Sequence, residues 1–358
     1  MSHSTPLKLL FLSTPVGALG SGLGGGVELT LYNMAQAMLQ QGHSVQVVAP
    51  AGSTLPGISL IQVLGALQIT AQTQGRSTPI TLPSNAVLAN MWEYARKVQS
   101  EYDAIVNFAY DWLPFYLTPF FVRPIAHLVS MGSLSDAMDQ VIAHTLSQFP
   151  GTIGMHSRAQ AATFAFADRC RILGNGLDLS LYDFCPVPGA ALAWVGRIAP
   201  EKGLEDAIEA VQKTNTCLKI WGAMPDESYW QSIQRSYPHA SVEYRGFLPT
   251  AQLQAELGEC RALLVTPHWI EAFGNVAIEA LACGVPVIAY RRGGPAEIVQ
   301  HGKTGWLVEP DSVPELVSAI GRIDEIDRHA CRHQAEAEFS LHALGDRVEQ
   351  WLRDILGC

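Results

Sequence analysis

The chain reads as an α/β protein of two Rossmann-like, doubly wound parallel-sheet domains facing a cleft, on three observations. Short β-rich apolar runs alternate with helical stretches, which is the pattern of parallel βαβ units. That series runs through once, pauses at a Pro/Gly-rich stretch over residues 186–189, and runs through again. The length of 358 residues suits two domains of ordinary size better than one core.

In chain order, residues 7–13 (LKLLFLS) predict the first strand, 27–41 a helix ended by Gly42, and 45–49 the next strand. Residues 104–108, 125–130, 152–155 and 171–173 are short apolar strand candidates that complete a first domain over 1–185. The second domain, 186–338, takes strands at 191–195, 218–221, 242–244, 262–265, 285–289 and 305–308, with helices between them. Ligand loops are expected at the carboxyl ends of both sheets. No short tandem repeat is visible.

Composition excludes several classes. At 48% hydrophobic and 16% charged, the chain is globular rather than disordered. A formal net charge of −10 argues against nucleic-acid binding and against adhesion to an anionic membrane. No apolar run approaches the roughly eighteen residues of a membrane span, so a cytoplasmic protein without stable membrane association is expected. The 7 cysteines form no CxxC and read as reduced. His329 and His333 lie four apart on a helical stretch; with no third ligand they read as surface residues, and no metal is expected.

Three segments carry chemistry. After the first strand, Gly20, Gly22 and Gly25 satisfy GxGxxG, which raises a dinucleotide-binding alternative. Two details oppose it: STPVGAL separates the strand from the glycines, and the second strand ends in VVAPAG without an acid for the ribose. The run through Gly26 reads instead as a backbone-exposing loop at the start of a helix that carries Val27 and Glu28. In the second half, Arg197 ends a strand and Lys202 follows at the next helix. A planar guanidinium fork and a point charge at one strand-to-helix turn can both reach a diphosphate. Finally, EAFGNVAIE puts Glu271 in a loop before a helix start and Glu279 about one turn inside that helix. Amide donors and a dipole end for an anion, flanked by carboxylates for hydroxyls, suit a nucleotide sugar.

Together VGRIAPEKG, EAFGNVAIE, GGPAEIV, the early GGVE and the Gly174–Asp178 turn (GNGLD) resemble the retaining glycosyltransferases of family 4, which have the GT-B fold. The resemblance covers nearly the whole chain. It implies catalytic roles for Arg197, Lys202 and Glu271, the two cations holding the donor diphosphate and Glu271 accepting from sugar hydroxyls. It implies backbone contacts to sugar and phosphates at Phe273, Gly274 and Asn275, ribose binding by Glu279, and approach to the diphosphate by Gly25 and Gly26. The terminal segment 339–358 resembles the helix that crosses back to the first domain. No cofactor beyond the UDP-sugar donor substrate is implied.

The family often has a His before a Gly at a middle strand of the first half. Here PIAHLVSMGS puts Met131 in that slot and His127 earlier, so His127 is either a hydrogen-bonded core histidine or a catalytic residue on the acceptor side. With STPVG, GGGVELTL, NFAYDWLPFYLTPFF, SMGSLSDAMDQ and EAFGNVAIEALACG, the whole-chain pattern looks most like the UDP-glucose-dependent pteridine (tetrahydrobiopterin) glucosyltransferases, and that resemblance implies a pterin as the small-molecule acceptor. Glu28, Asp111 and His127 are the candidate acceptor contacts, and the aromatic run from Tyr110 to Phe121 could offer a stacking face, though core packing claims most such side chains. The alternatives are a transferase with a lipid or other acceptor, a sugar-nucleotide epimerase, and a catalytically silent sugar-nucleotide binder.

Overall fold

The computed structural model describes residues 5–21, 25–71 and 74–358. The chain divides into two compact units, the first Met1–Gly176 with Leu341–Cys358, the second Leu177–Ser340.

Among the described residues the first unit holds seven strands: β1 (Lys8–Leu12), β2 (Ser44–Pro50), β3 (Ser59–Val63), β4 (Ala104–Asn107), β5 (Ile125–Val129), β6 (Ile153–Met155) and β7 (Arg171–Ile172). They form one parallel sheet in the order β3-β2-β1-β4-β5-β6-β7. The order reverses between β1 and β4, which makes the carboxyl ends of that pair the expected ligand position. β1 is buried from Leu9 onward because helices cover both faces of the sheet. β3 is absent from the sequence-based expectation. It is an edge strand with no fully buried residue, so its pattern lacks the apolar run that marks its neighbours.

The second unit repeats the plan with β8 (Leu192–Val195), β9 (Leu218–Trp221), β10 (Val242–Tyr244), β11 (Leu263–Val265), β12 (Val287–Tyr290) and β13 (Gly305–Val308). Their order is β10-β9-β8-β11-β12-β13, with the reversal between β8 and β11.

The junction falls at Gly176/Leu177, before the Pro/Gly-rich stretch, and hydrogen bonds explain why. On one side, Asn33 Nδ2 donates to the Gly176 carbonyl and Asn175 Nδ2 to Thr30 Oγ1, which ties the GNG turn to the helix Gly26–Gln40. On the other, the Leu177 amide donates to Phe339 O and the Cys185 amide to Cys283 O, so residues 177–185 belong to the second unit. The last helix, Leu341–Leu356, packs in the first unit, where Trp351 Nε1 donates to Gly151 O at 2.7 Å. Among the described residues no helix is long and apolar enough to cross a membrane.

Candidate functional site

Two loops flank the switch point of the second sheet. The first follows β8: Arg197, a 3-10 turn over Pro200–Lys202, Gly203, then the helix Leu204–Thr214. The second follows β11: Thr266, Pro267, His268, Trp269, Ile270 and Glu271, ahead of the helix Asn275–Ala282. Gly203, at φ +61°, joins them. A Cβ there would stand 2.0 Å from Thr266 O, so only glycine lets the two backbones close. Thr266 Oγ1 donates to Gly203 O at 2.7 Å, and the His268 amide donates to Glu201 O at 3.0 Å.

That backbone clasp brings together side chains 69 residues apart. Lys202 Nζ lies 2.5 Å from Glu271 Oε2, with the two side chains 23% and 19% exposed. The same Oε2 accepts from Trp269 Nε1 at 3.0 Å, and the Lys202 ammonium sits 5.0 Å from the Trp269 ring centroid. Arg197 pairs with Glu201 and is more open, at 40%. Lys202 and Glu271 are thus in contact, while Arg197 stands on the same turn with its own partner.

The Gly-Gly-Pro turn backs this loop. Gly293 is at φ +68°, and its Cβ would meet the Glu271 backbone at 2.6 Å; one at Gly294 would meet Phe273 O at 2.2 Å. The Gly294 amide donates to Glu271 O at 2.8 Å. The Phe273 side chain is buried, edge-on to Phe339 at 6.2 Å, so this residue can offer a ligand its backbone only. Gly274 caps the helix that begins at Asn275, at φ +93°. The cap aims the positive end of the helix dipole along the loop.

Glu279 lies in that helix, 8% exposed, and accepts from Tyr182 OH at 3.3 Å. Burial pushes its carboxyl up to about 7, against the opposing pull of the Tyr182 hydrogen bond. Among the described residues it bonds to neither Lys202 nor Glu271.

Behind the two loops, Asp206 accepts from Tyr290 OH at 2.5 Å and pairs with His268 Nε2 at 2.9 Å, while Arg292 holds Asp311 with both nitrogens and donates to Pro267 O at 2.9 Å. Asp206, His268 and Asp311 have ligand atoms within 4.8 Å of one another, a spacing a metal could use. Tyr290 and Arg292 already engage both carboxylates, so the trio serves here as a polar scaffold. His329 is exposed and paired with Asp327.

The first unit has its own switch-point loops. After β1, Gly25 caps the helix Gly26–Gln40 at φ +58°, and no atom of the described residues lies within 4 Å of where a Cβ would stand. Gly22 of the glycine run lies outside the described residues. Glu28 Oε2 accepts from the Gly20 amide at 2.8 Å, so this acid holds the loop against its own helix. After β4, Asp111 caps the helix Trp112–Leu117, accepting from the Leu113 amide at 3.1 Å and from Gln68 Nε2 at 3.0 Å; burial raises its pKa.

His127 takes the core alternative. It lies inside β5 at 0% exposure, its Nδ1 3.2 Å from Asn107 Nδ2 and its Nε2 2.9 Å from Thr118 Oγ1. Phe115 stacks on the ring at 4.3 Å, and burial pushes the imidazole down to about 3. Both nitrogens are used and no face reaches solvent, so it cannot meet an acceptor. Of the aromatic run, Phe115 is in the core and Phe121 packs edge-on to Trp92, whereas Trp112 stacks on Tyr116 at 4.5 Å with Tyr116 and Phe120 exposed.

Sequence reasoning passed over Trp269, Tyr182, Gln68 and the Asp206 scaffold. Trp269 stands two residues before Glu271 and was within reach. Tyr182 and Gln68 meet their partners across 97 and 43 residues, with no spacing signal to mark them.

Two parallel sheets in these orders, with loops converging at each switch point, define a GT-B fold. Residues 189–338, most of the second unit, match the family model for glycosyl transferases group 1. Glycogen synthase of Mycobacterium tuberculosis is 32% identical over 178 residues, which are 46% of this chain and 42% of that protein. D-inositol 3-phosphate glycosyltransferase 2 of Catenulispora acidiphila is 28% identical over 254 residues, 62% of this chain and 58% of its own. HepE of Anabaena, solved in complex with UDP-glucose, aligns with a TM-score of 0.77 at 20% identity, covering 97% of this chain and 100% of that one. The chain spans less than two thirds of the length of the curated relatives it matches.

Proposed function

We propose that the protein is a retaining glycosyltransferase that moves a hexose, glucose from UDP-glucose, to a pterin. One observation carries the donor half: Lys202 and Glu271 meet at 2.5 Å on the two loops that flank the β8/β11 switch point. A cation for phosphate and an acceptor for sugar hydroxyls then lie side by side, where such sheets bind ligands. Arg197, on the same turn, adds a second cation. Asn275 opens the helix whose dipole favours an anion. Glu279 accepts from the ribose hydroxyls; at neutral pH its raised pKa leaves it partly protonated and able to donate as well.

In the reaction the bond between the sugar C1 and the diphosphate oxygen breaks, and the acceptor oxygen bonds to C1 on the same face. The acceptor proton passes to the departing diphosphate. The protein positions the reactants and offsets the charge that grows on the leaving group, for which one well-placed donor contributes about 10²–10³ in rate. No step in this scheme calls on a metal or other cofactor.

For the acceptor, the pterin reading rests on the likeness of sequence motifs. Asp111 and Gln68, bonded to each other after β4 and β3, supply an edge of acceptors and donors, and the stacked Trp112 and Tyr116 supply a flat face. Exposed Tyr116, Phe120 and Val122 favour a second reading, a lipid acceptor, which the net charge of −10 opposes on anionic membranes. The test is incubation with UDP-glucose and a panel of pterins, phenolics, sugars and lipids, read by mass spectrometry, with anomeric configuration by NMR. A pterin α-glucoside is expected. A hexose found only on another class overturns the acceptor, and a β-linked product overturns retention.

A further inference from the structure

We infer that Trp269 is a positioning residue for Glu271, keeping one carboxylate oxygen aimed at the donor sugar when Lys202 turns to phosphate. The inference rests on the donor-site reading above and assigns a role that reading does not contain.

Both hydrogen bonds to Glu271 land on Oε2, one from Lys202 Nζ and one from Trp269 Nε1. Oε1 has no hydrogen-bond partner among the described residues and is the oxygen left for a sugar hydroxyl. The two donors differ in kind. An ammonium is drawn to a diphosphate and its three protons are shared out when one arrives; a neutral indole N–H has no such competitor. Trp269 therefore keeps its bond to Oε2 while Lys202 redistributes.

The ring also contributes its face. The Lys202 ammonium lies 5.0 Å from its centroid, within the range where the π-electrons attract a cation, so one side chain limits the swing of Lys202 and fixes Glu271. The segment that carries it is pinned on both sides: Arg292 donates to Pro267 O, the His268 amide to Glu201 O, and the Gly294 amide to Glu271 O, at 2.9, 3.0 and 2.8 Å. A side chain on so firmly held a loop can transmit its orientation to a neighbour.

The test separates the N–H from the ring with Trp269→Phe, using UDP, which lacks the sugar, as a probe of the diphosphate half. Expected is a ten- to hundredfold lower kcat for transfer from UDP-glucose, the size of one lost bond to a charged group, with the Kd for UDP within about twofold of wild type. Trp269→Ala, which also removes the face beside Lys202, weakens UDP binding as well. A Trp269→Phe enzyme with wild-type kcat overturns the role. So does a parallel loss of UDP affinity and Tm, which would make Trp269 a packing residue. If the wild-type protein binds UDP but takes no sugar from any UDP-hexose, the donor-site reading falls first, a result distinct from both.

Discussion

Replacing Gly203 by Ala puts a methyl carbon 2.0 Å from the Thr266 carbonyl oxygen, more than an ångström short of ordinary contact, in a residue held at φ +61°. The left-handed conformation costs an L-residue about 1–2 kcal/mol, and forcing an extra carbon into packed structure costs about 1–3 kcal/mol, so the second unit should lose about 2–5 kcal/mol. Gly246→Ala is the control within the same unit: its φ is +74°, but nothing lies within 4 Å of the added carbon, so only the conformational cost of about 1–2 kcal/mol applies. The difference between the two variants isolates the clasp between the loops after β8 and β11. Relieving the contact must part Lys202 from Glu271, and a misplacement of about 1 Å lowers the rate roughly 10²-fold. Urea denaturation supplies the two free energies and transfer from UDP-glucose supplies the rate. If Gly203→Ala is no less stable than Gly246→Ala and as active as wild type, the clasp does not set the site.

Lys202→Ala and Glu271→Ala should each reduce transfer sharply, about 10²-fold or more, with the fold retained by circular dichroism, because both act at the surface of a formed unit; full activity in both would sink the site. The two units should respond oppositely to mild acid. Glu279 is raised to about 7, so the folded second unit binds more protons than the unfolded chain and gains stability as pH falls from 7 toward 4.5. His127, at about 3, and His43 and His156, also lowered by burial, do the reverse in the first unit: stability is lost as pH falls below 6.5, with Asp111 opposing. Hydrogen exchange at pH 7 and pH 5, read unit by unit, should show protection shifting toward the second, and Glu279→Gln should remove that unit's gain. Burial pushes the thiols of Cys260, Cys283 and Cys331 up to about 12, whereas Cys358 is exposed, so a native thiol titration should label Cys358 first and those three only on unfolding.

Much of the fold was legible because parallel βαβ units write themselves locally. A strand buried on both faces must be a short apolar run, and the stop after the helix Gly26–Gln40 must be a glycine such as Gly42, at φ +86°. β3 escaped because an edge strand carries no such run. The unit boundary escaped because composition marks Pro186–Gly189 as a break, while the side chains of Asn33 and Asn175 hold the chain to the first unit up to Gly176.

For the candidate site, sequence alone determined residue types on loops: Glu271 before a helix start, Glu279 one turn inside it, Arg197 and Lys202 after a strand. Those are local facts of spacing and helix geometry. Only the tertiary structure decided which of them touch. The close approach at Gly203 puts Lys202 and Trp269 on one oxygen of Glu271, burial beside Tyr182 moves the Glu279 carboxyl toward neutrality, and β5 encloses His127 between Asn107 and Thr118. Contact and desolvation are set by partners tens of residues away, which no local pattern encodes.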